Sequence, residues 1–167
     1  SQFYFFYSPK SEVLLREPLR KRHKLQFLFT HCELRGIQLG LTKKIRRPDK
    51  STVDPTVKSL NYLNNVLALI EGTQGTDLME SLMLNRAGFV AEATVDNIFV
   101  INRGEGWEKD PSKVVIHTPS DEYCLNGITR ATLKGLAQQK GYQVVVDRYL
   151  MPIEMVGVIS DGSSAIF

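Results

Sequence analysis

The sequence predicts a mixed α and β fold. Several short runs of apolar or alternating residues, each bounded by turn residues, have the length and pattern of strands. Two longer segments repeat their apolar residues at helical spacing, and consecutive strands occur as well as strands separated by a helix. With 167 residues, the chain has the size of one domain, or of one domain and part of another.

The first regular elements are predicted between residues 36 and 71. The stretch "GIQLGL" alternates and predicts a strand over residues 36–41, and a loop with two prolines follows over residues 45–56. An amphipathic helix is then predicted over residues 59–71, because apolar side chains recur at helical spacing: Leu60, Leu63, Val66, Leu67 and Ile70. The stretch "GTQGT" ends this helix.

The second half contains most of the predicted strands. They lie at residues 81–85, 89–93, 97–102, 114–118 and 142–149. The second and third of these are either two strands or one bent strand. A polar hairpin loop is predicted over residues 103–113, and a helix over residues 128–141 that Gly141 closes.

Charge is distributed unevenly along the chain. Residues 1–50 hold 12 of the Lys and Arg residues and 4 of the Asp and Glu residues, whereas residues 51–167 hold 9 and 14. This asymmetry predicts a boundary near residue 50, between a basic N-terminal segment and the rest. The cluster "REPLRKRHK", residues 16–24, could contact nucleic acid or a membrane surface. Because its aromatic neighbours precede it rather than interleave with it, we expect a solvated arm with neither partner.

Cysteine and histidine usage argues against several kinds of site. Two cysteines, Cys32 and Cys124, do not make a disulfide framework, and they indicate a reducing, cytoplasmic setting. His23 and His31 lack the paired spacing of metal ligands, so no metal site is expected. No apolar run approaches the roughly 20 residues that span a bilayer, and the opening "SQFYFFYSPK" lacks the pattern of a signal peptide.

Three separated stretches resemble the class IV pyridoxal-phosphate aminotransferases. They are "VKSLNYLNNVLALIE", "MLNRAGFVAEATVDNIFV" and "LNGITRATLKGLAQQKG". The resemblance covers about residues 36–157, with the motifs in the family's order. It implies pyridoxal 5′-phosphate as cofactor, a homodimer, and the α+β fold-type IV architecture, whose large C-terminal domain is a pseudo-barrel of strands with flanking helices. Residues 51–167 would be this cofactor-binding domain.

The resemblance assigns the two central residues of the expected site. Lys58 matches the lysine that holds the cofactor as a covalent imine, and lysine is the side chain that can form this bond. Once freed, its amine can move the proton between substrate Cα and cofactor C4′. Glu92 matches the glutamate beside the ring nitrogen. It interrupts an apolar run, where a carboxylate is costly unless it is paired; the alternative is the solvent face of an edge strand.

The resemblance also assigns contacts to the cofactor's phosphate and phenolic oxygen. Ile128 and Thr129 match the residues that bind the phosphate at a helix N-terminus, where backbone N–H groups favour an anion. Alternatively, Thr129 only caps this helix. Tyr62 matches the tyrosine that hydrogen-bonds the phenolic oxygen. If Lys58 and Tyr62 lie on one helix, their spacing puts both on the same face.

Both ends of the chain depart from the family pattern. We expect the smaller N-terminal domain to be truncated or atypical, and the resemblance does not assign the phosphate-binding arginine among Arg16, Arg20, Arg22 and Arg35. Near the other end, "DGSS" is a possible degenerate phosphate loop, with Gly162 and Ser163 as donors; the last ten or so residues are divergent.

The expected reaction is transamination between branched-chain L-amino acids and 2-oxoglutarate, by a full, a truncated or a weakly active form. The alternatives are a D-amino acid aminotransferase or an aminodeoxychorismate lyase on the same fold, or a non-catalytic remnant that acts as a binding module.

Overall fold

The computed structural model describes residues 3–4, 38–78, 80–152 and 164–166. Within these ranges the strands form two sheets, and two helices connect neighbouring parallel strands. The predicted α+β character is therefore confirmed.

The first sheet has the strand order β1-β2-β3-β4. Strands β2 and β3 are parallel, while β1 pairs with β2, and β4 with β3, in antiparallel fashion. The bounds are β1 Phe3–Tyr4, β2 Gln38–Leu41, β3 Glu80–Leu84 and β4 Val90–Ala93. This sheet includes residues from both sides of position 50, and the predicted boundary there stays a prediction.

Helix α1 (Leu63–Thr73) is the crossover from β2 to β3 and packs against both strands. A pair of glycines permits this close approach: a Cβ on Gly40 would lie 2.1 Å from the Gly72 carbonyl oxygen, and one on Gly72 would lie 1.7 Å from the Ser81 hydroxyl. Larger residues at these two positions would force the helix away from the sheet.

The second sheet has the order β7-β6-β5-β8. Strands β5 and β6 form the predicted hairpin, β8 pairs antiparallel with β5, and β6 and β7 are parallel. Helix α2 (Ile128–Gln139) is the crossover between β6 and β7. The bounds are β5 Val100–Arg103, β6 Val114–Pro119, β7 Gln143–Asp147 and β8 Ser164–Ile166. The predicted strands 89–93 and 97–102 are thus two strands in different sheets.

Two apolar clusters form the core of the described part. One joins the first sheet to residues after it and contains Leu39, Leu82, Val90, Val100 and Leu150 among others. The other lies between the β5–β6 hairpin and α2 and contains Phe99, Ile101, Val114, Ile116 and Ala137. Strand β4, which carries Glu92, contributes Val90 and Ala93 to the first cluster.

The helix predicted over residues 59–71 begins four residues later than expected. The Ser59 hydroxyl accepts a hydrogen bond from the Asn61 N–H (3.3 Å), and the Tyr62 N–H binds the Leu60 carbonyl (2.8 Å). These local bonds compete with the first helical turn, so that Tyr62 becomes the N-cap residue. The prediction that Lys58 and Tyr62 share a helix face was therefore wrong, since Lys58 lies in the preceding loop.

Candidate functional site

Glu92 is a buried carboxylate on β4, although β4 is the edge strand of its sheet. Its Oε1 lies 2.6 Å from the Nε of Arg47. Its Oε2 accepts a hydrogen bond from the Leu125 N–H (3.0 Å) and a longer one from the Asn97 amide (3.4 Å). Burial raises the pKa of Glu92, and the Arg47 charge and the Leu125 N–H oppose that rise. The alternative of a solvent-facing Glu92 was wrong, because this side chain is buried and paired.

Tyr62 lies close to Glu92, because its hydroxyl binds a backbone carbonyl of the segment that follows this glutamate. The Tyr62 hydroxyl donates to the Thr94 carbonyl, two residues after Glu92, and the Asn65 amide donates to the same oxygen at 2.7 Å. Thr94 is itself fixed, because its N–H donates to the buried Glu80 carboxylate (3.1 Å). Burial, with Glu92 and Glu80 nearby, raises the pKa of Tyr62. Its phenol is therefore neutral at physiological pH.

Lys58 lies in an exposed loop immediately before α1. The turn that leads to it is closed by Asp54, which accepts bonds from the Thr56 N–H (2.9 Å) and hydroxyl (2.7 Å). Pro55, three residues before Lys58, is buried. Within the described ranges, the Lys58 amine has no hydrogen bond or ion pair.

The start of α2 is open in the way that an anion site requires. Gly127 is the N-cap residue, and no side chain of the described residues caps the first turn. Thr129 therefore does not cap the helix, and both it and Ile128 are exposed. A Cβ on Gly127 would lie 2.8 Å from Asn97 Oδ1. Uncapped N–H groups at a helix N-terminus favour a negative charge.

Asn97 connects this helix start to the Glu92 carboxylate. Its amide donates to the Leu125 carbonyl at 2.9 Å and, more weakly, to Glu92. The predicted residues Tyr62, Glu92, Ile128 and Thr129 thus belong to adjoining segments that a few polar contacts hold together. Lys58 is tied to them through its loop, because the Pro55 carbonyl accepts a hydrogen bond from Arg47 (3.1 Å).

Several predicted positions lie outside the described residues. These are the candidate phosphate arginines Arg16, Arg20, Arg22 and Arg35, the "DGSS" residues Gly162 and Ser163, and the basic cluster at residues 16–24. Their predicted roles remain predictions.

Sequence reasoning missed four polar residues that support the site. Arg47 pairs with Glu92, and Asn65 donates to the Thr94 carbonyl. Asn97 links Glu92 on β4 to the Leu125 carbonyl in the loop before α2. Arg130 is fully buried, and it binds Thr118, Pro119 and Asp121 to hold α2 against β6. One signal was present in the sequence: Arg47 precedes Pro48, and a residue before proline is restricted to extended backbone.

The part of the chain that the structure describes shows neither a metal-ligand cluster nor a membrane-spanning helix. There, His, Cys, Asp and Glu side chains do not gather in threes as metal ligands. Neither of the described helices has the length and hydrophobicity needed to cross a bilayer. Burial raises the pKa of the Cys124 thiol to about 11, so this cysteine is an unreactive thiol at neutral pH.

The chain matches a known family over most of its length. A family model described as "Amino-transferase class IV" matches residues 21–155. The branched-chain-amino-acid aminotransferase of Pseudomonas aeruginosa is 41% identical over 87 residues, which are 52% of this chain and 25% of that relative.

Solved structures agree with this match. The branched-chain aminotransferase of Thermoproteus uzoniensis, crystallised with norvaline, superimposes with a TM-score of 0.59 at 27% identity, over 71% of this chain and 37% of that one. The branched-chain amino acid aminotransferase of Thermobaculum terrenum was solved in its holo-form with pyridoxal phosphate. It superimposes with a TM-score of 0.59 at 28% identity, over 70% of this chain and 35% of that one.

The chain spans well under half the length of these relatives. They confirm the resemblance that the three sequence motifs indicated, including its closeness to the branched-chain members. The described part has the fold of fold-type IV aminotransferases. Because the family model covers far more than half of its residues, this chain belongs to the class IV aminotransferase family.

Proposed function

We propose that this chain binds pyridoxal 5′-phosphate between Lys58, Glu92 and the start of α2. We propose further that the protein transfers an amino group between a branched-chain L-amino acid and 2-oxoglutarate. One observation carries the cofactor proposal: Glu92 is a buried carboxylate, paired with Arg47 and the Leu125 N–H, in a family whose cofactor needs an acid beside its ring nitrogen. The branched-chain substrates are supported by the relatives named above.

The residues present fit this cofactor in chemical type. Lys58 supplies an amine without a protein partner among the described residues, and it can condense with an aldehyde and release water. The uncapped first turn of α2, at Ile128 and Thr129, suits the phosphate. The Glu92 carboxylate suits a protonated ring nitrogen, because an ionised acid stabilises a neighbouring positive charge.

Bound pyridoxal phosphate supplies an electron-accepting ring that stabilises negative charge on the substrate Cα. The protein's own contribution is acid–base chemistry and orientation. Lys58, when its amine is free, would be the general base that takes the proton from the substrate Cα and delivers it to cofactor C4′. Glu92 keeps a proton on the ring nitrogen by remaining ionised itself.

Tyr62 needs a small rearrangement for its proposed role. A phenol has one O–H donor, and Tyr62 gives it to the Thr94 carbonyl in this structure. To donate to the cofactor's phenolic oxygen, the hydroxyl must turn away from Thr94. Asn65 donates to that carbonyl as well, so the carbonyl stays satisfied when Tyr62 turns.

The first test is borohydride reduction of the purified chain with pyridoxal phosphate, followed by peptide mapping. We expect the pyridoxyl group on Lys58, because its amine has no partner among the described residues and its loop is tied to the Glu92 site through Arg47 and Pro55. The variant Lys58→Arg should abolish the label and Lys43→Arg should not. Labelling that concentrates on any other lysine contradicts the proposal.

The same preparation tests the substrate class. Incubation with L-leucine before the borohydride step should prevent the labelling of Lys58, because transamination consumes the cofactor's aldehyde. Incubation with D-alanine should leave the labelling intact. Loss of labelling with D-alanine alone would favour the D-amino acid alternative on the same fold.

A further inference from the structure

We infer that Arg47 is a positioning residue for Glu92. It keeps the buried carboxylate ionised, directs its remaining lone pair, and ties it to the loop that carries Lys58. The inference rests on the proposed cofactor site, in which Glu92 is the partner of the ring nitrogen.

The guanidinium of Arg47 joins three separate segments. Its Nε lies 2.6 Å from Glu92 Oε1 on β4, as an ion pair that lacks hydrogen-bond alignment. Its Nη1 donates to Asn65 Oδ1 on α1 at 3.0 Å, and its Nη2 donates to the Pro55 carbonyl at 3.1 Å. The Arg47 side chain is 12% exposed, so water competes little for these contacts. A planar, forked cation suits this geometry, whereas a lysine ammonium has no such fork.

The backbone fixes Arg47 before its side chain makes any contact. Its N–H donates to the Leu84 carbonyl at 2.8 Å, so the segment lies along β3. Pro48 restricts the backbone of Arg47 to extended conformations. One residue earlier, the Arg46 carbonyl accepts a bond from the Asn64 amide of α1 (3.0 Å). Bonds to β3 and α1 therefore hold this residue in place, and little entropy remains to be lost when Arg47 meets Glu92.

The donors around Glu92 leave little freedom for its carboxylate. An ionised carboxylate has about four lone-pair directions. Arg47 lies against Oε1, while Leu125 and Asn97 donate to Oε2. The two donors thus occupy Oε2, and a ligand is left with Oε1, beside the Arg47 charge. Arg47 is the only charged group of the three, and it contacts the oxygen that the other two do not.

The Arg47 charge opposes protonation of Glu92. Burial raises the pKa of this carboxyl group, and Arg47 is the largest opposing influence. Without Arg47, Glu92 would take up a proton more readily and could no longer hold a positive charge on a neighbouring ring nitrogen. Loss of Arg47 would also free the Pro55 carbonyl, and with it the loop before Lys58.

The direct test is a carboxyl titration of the chain without cofactor, by NMR with glutamate labelled with ¹³C at the carboxyl carbon. Glu92→Gln identifies the resonance. In Arg47→Met we expect the Glu92 midpoint to rise by at least about one pH unit, because an opposite charge at this distance shifts a carboxyl by about one to three units. Arg86→Met is the matched control, since it breaks an exposed pair with Asp49, and it should leave the midpoint unchanged.

The titration overturns the inference if the Glu92 midpoint is the same in Arg47→Met as in the parent. Should that variant fail to fold, Arg47→Gln removes the same charge and keeps an amide donor, and the same shift is expected. Arg47→Lys keeps the charge but not the fork, so its midpoint should lie near the parent's.

A second measurement tests whether Arg47 orients the Glu92 carboxylate toward the ring nitrogen. Pyridoxal phosphate and its 1-deaza analogue, which has no ring nitrogen, compete for borohydride labelling of Lys58. The parent should prefer pyridoxal phosphate by at least about tenfold, since a charged hydrogen bond contributes this much or more. Arg47→Met should lose most of that preference, and an undiminished preference contradicts the inference. If Lys58 is never labelled, the proposed function fails, while the carboxyl titration still decides the role of Arg47.

Discussion

Helices α1 and α2 have the same topological place, each crossing between two parallel strands, and each buries one polar side chain and one alanine, yet their larger apolar residues are covered to different extents. Helix α1 exposes much of its apolar stripe, with Leu63 at 65% and Ile70 at 52%, and buries the polar Asn65. Helix α2 packs Leu133 and Ala137 into an apolar cluster and exposes Ile128 at its first turn. Periodicity therefore predicts that a helix is two-sided, but not which side meets the sheet.

The physical cause is the size and polarity of the residues that face each helix. The Gly40–Gly72 contact brings α1 so close to β2 that small side chains, such as Ala68, fit between them. Asn65 faces the polar network of Arg47 and Thr94. Beside α2, the sheet offers the apolar residues of the β5–β6 hairpin. The homodimer that the resemblance implies stays a prediction.

The largest effect is expected at Arg130, the buried cation of α2. Arg130→Met removes the donors to the Thr118 hydroxyl (3.1 Å) and the Pro119 carbonyl. Each buried group left without its partner costs about 1–3 kcal/mol, so we expect a loss of about 3 kcal/mol in the free energy of unfolding. Urea denaturation measures it.

The matched control is Arg148→Met, which removes an arginine from an exposed pair with Glu122. Exposed pairs contribute about 1 kcal/mol or less, so the two variants should differ clearly. Equal losses would mean that the buried network of Arg130 does not hold α2 in place.

The helices, most strands and the buried, paired state of Glu92 were predictable from the sequence, whereas the groups that support Glu92 were not. The roles of the site residues stay predictions. Glu92 was found because a carboxylate in an apolar run needs a partner, and a motif match named its role. Its partner Arg47 lies 45 positions earlier, and no local pattern reports a contact of that separation. The start of α1 was misplaced, since periodicity records apolar spacing but not the local bonds of Ser59.

A smaller effect compares the two sides of α1 directly. Asn65→Ala removes the donor to the Thr94 carbonyl and the acceptor of Arg47. We expect a loss of about 2 kcal/mol in unfolding free energy, because buried polar groups lose their partners. Ile70→Ala, on the exposed stripe of the same helix, should change stability by less than about 0.5 kcal/mol. Both follow from urea denaturation.

Helix propensity is controlled within this pair of variants, because alanine is the new residue in both. If Ile70→Ala is the more damaging change, the stripe of α1 is buried in solution, and the comparison between the two helices is wrong. If both are neutral, the Asn65 network contributes nothing to stability.

The smallest effect concerns Glu71, which holds the loop before Arg47 from the last turn of α1. Its Oε1 accepts from the Lys44 N–H (2.8 Å) and its Oε2 from the Ile45 N–H (2.9 Å). Burial raises the pKa of Glu71, but these backbone bonds outweigh it and the pKa is lowered. A carboxyl group whose pKa falls on folding adds stability above its unfolded value, and this stability is lost as the pH falls through the folded value.

Glu71→Gln should therefore be less stable than the parent at pH 7, by about 1 kcal/mol, and the difference should shrink as the pH falls below the ordinary value of 4.5. Urea denaturation at pH 7 and near pH 4 measures the change. Glu105→Gln removes the same charge from the exposed hairpin loop and should show no such pH dependence. A deficit in Glu71→Gln that is the same at both pH values would mean that the charge of Glu71 does not hold this loop. The placement of Arg47 would then depend on its bond to Leu84 and on Pro48.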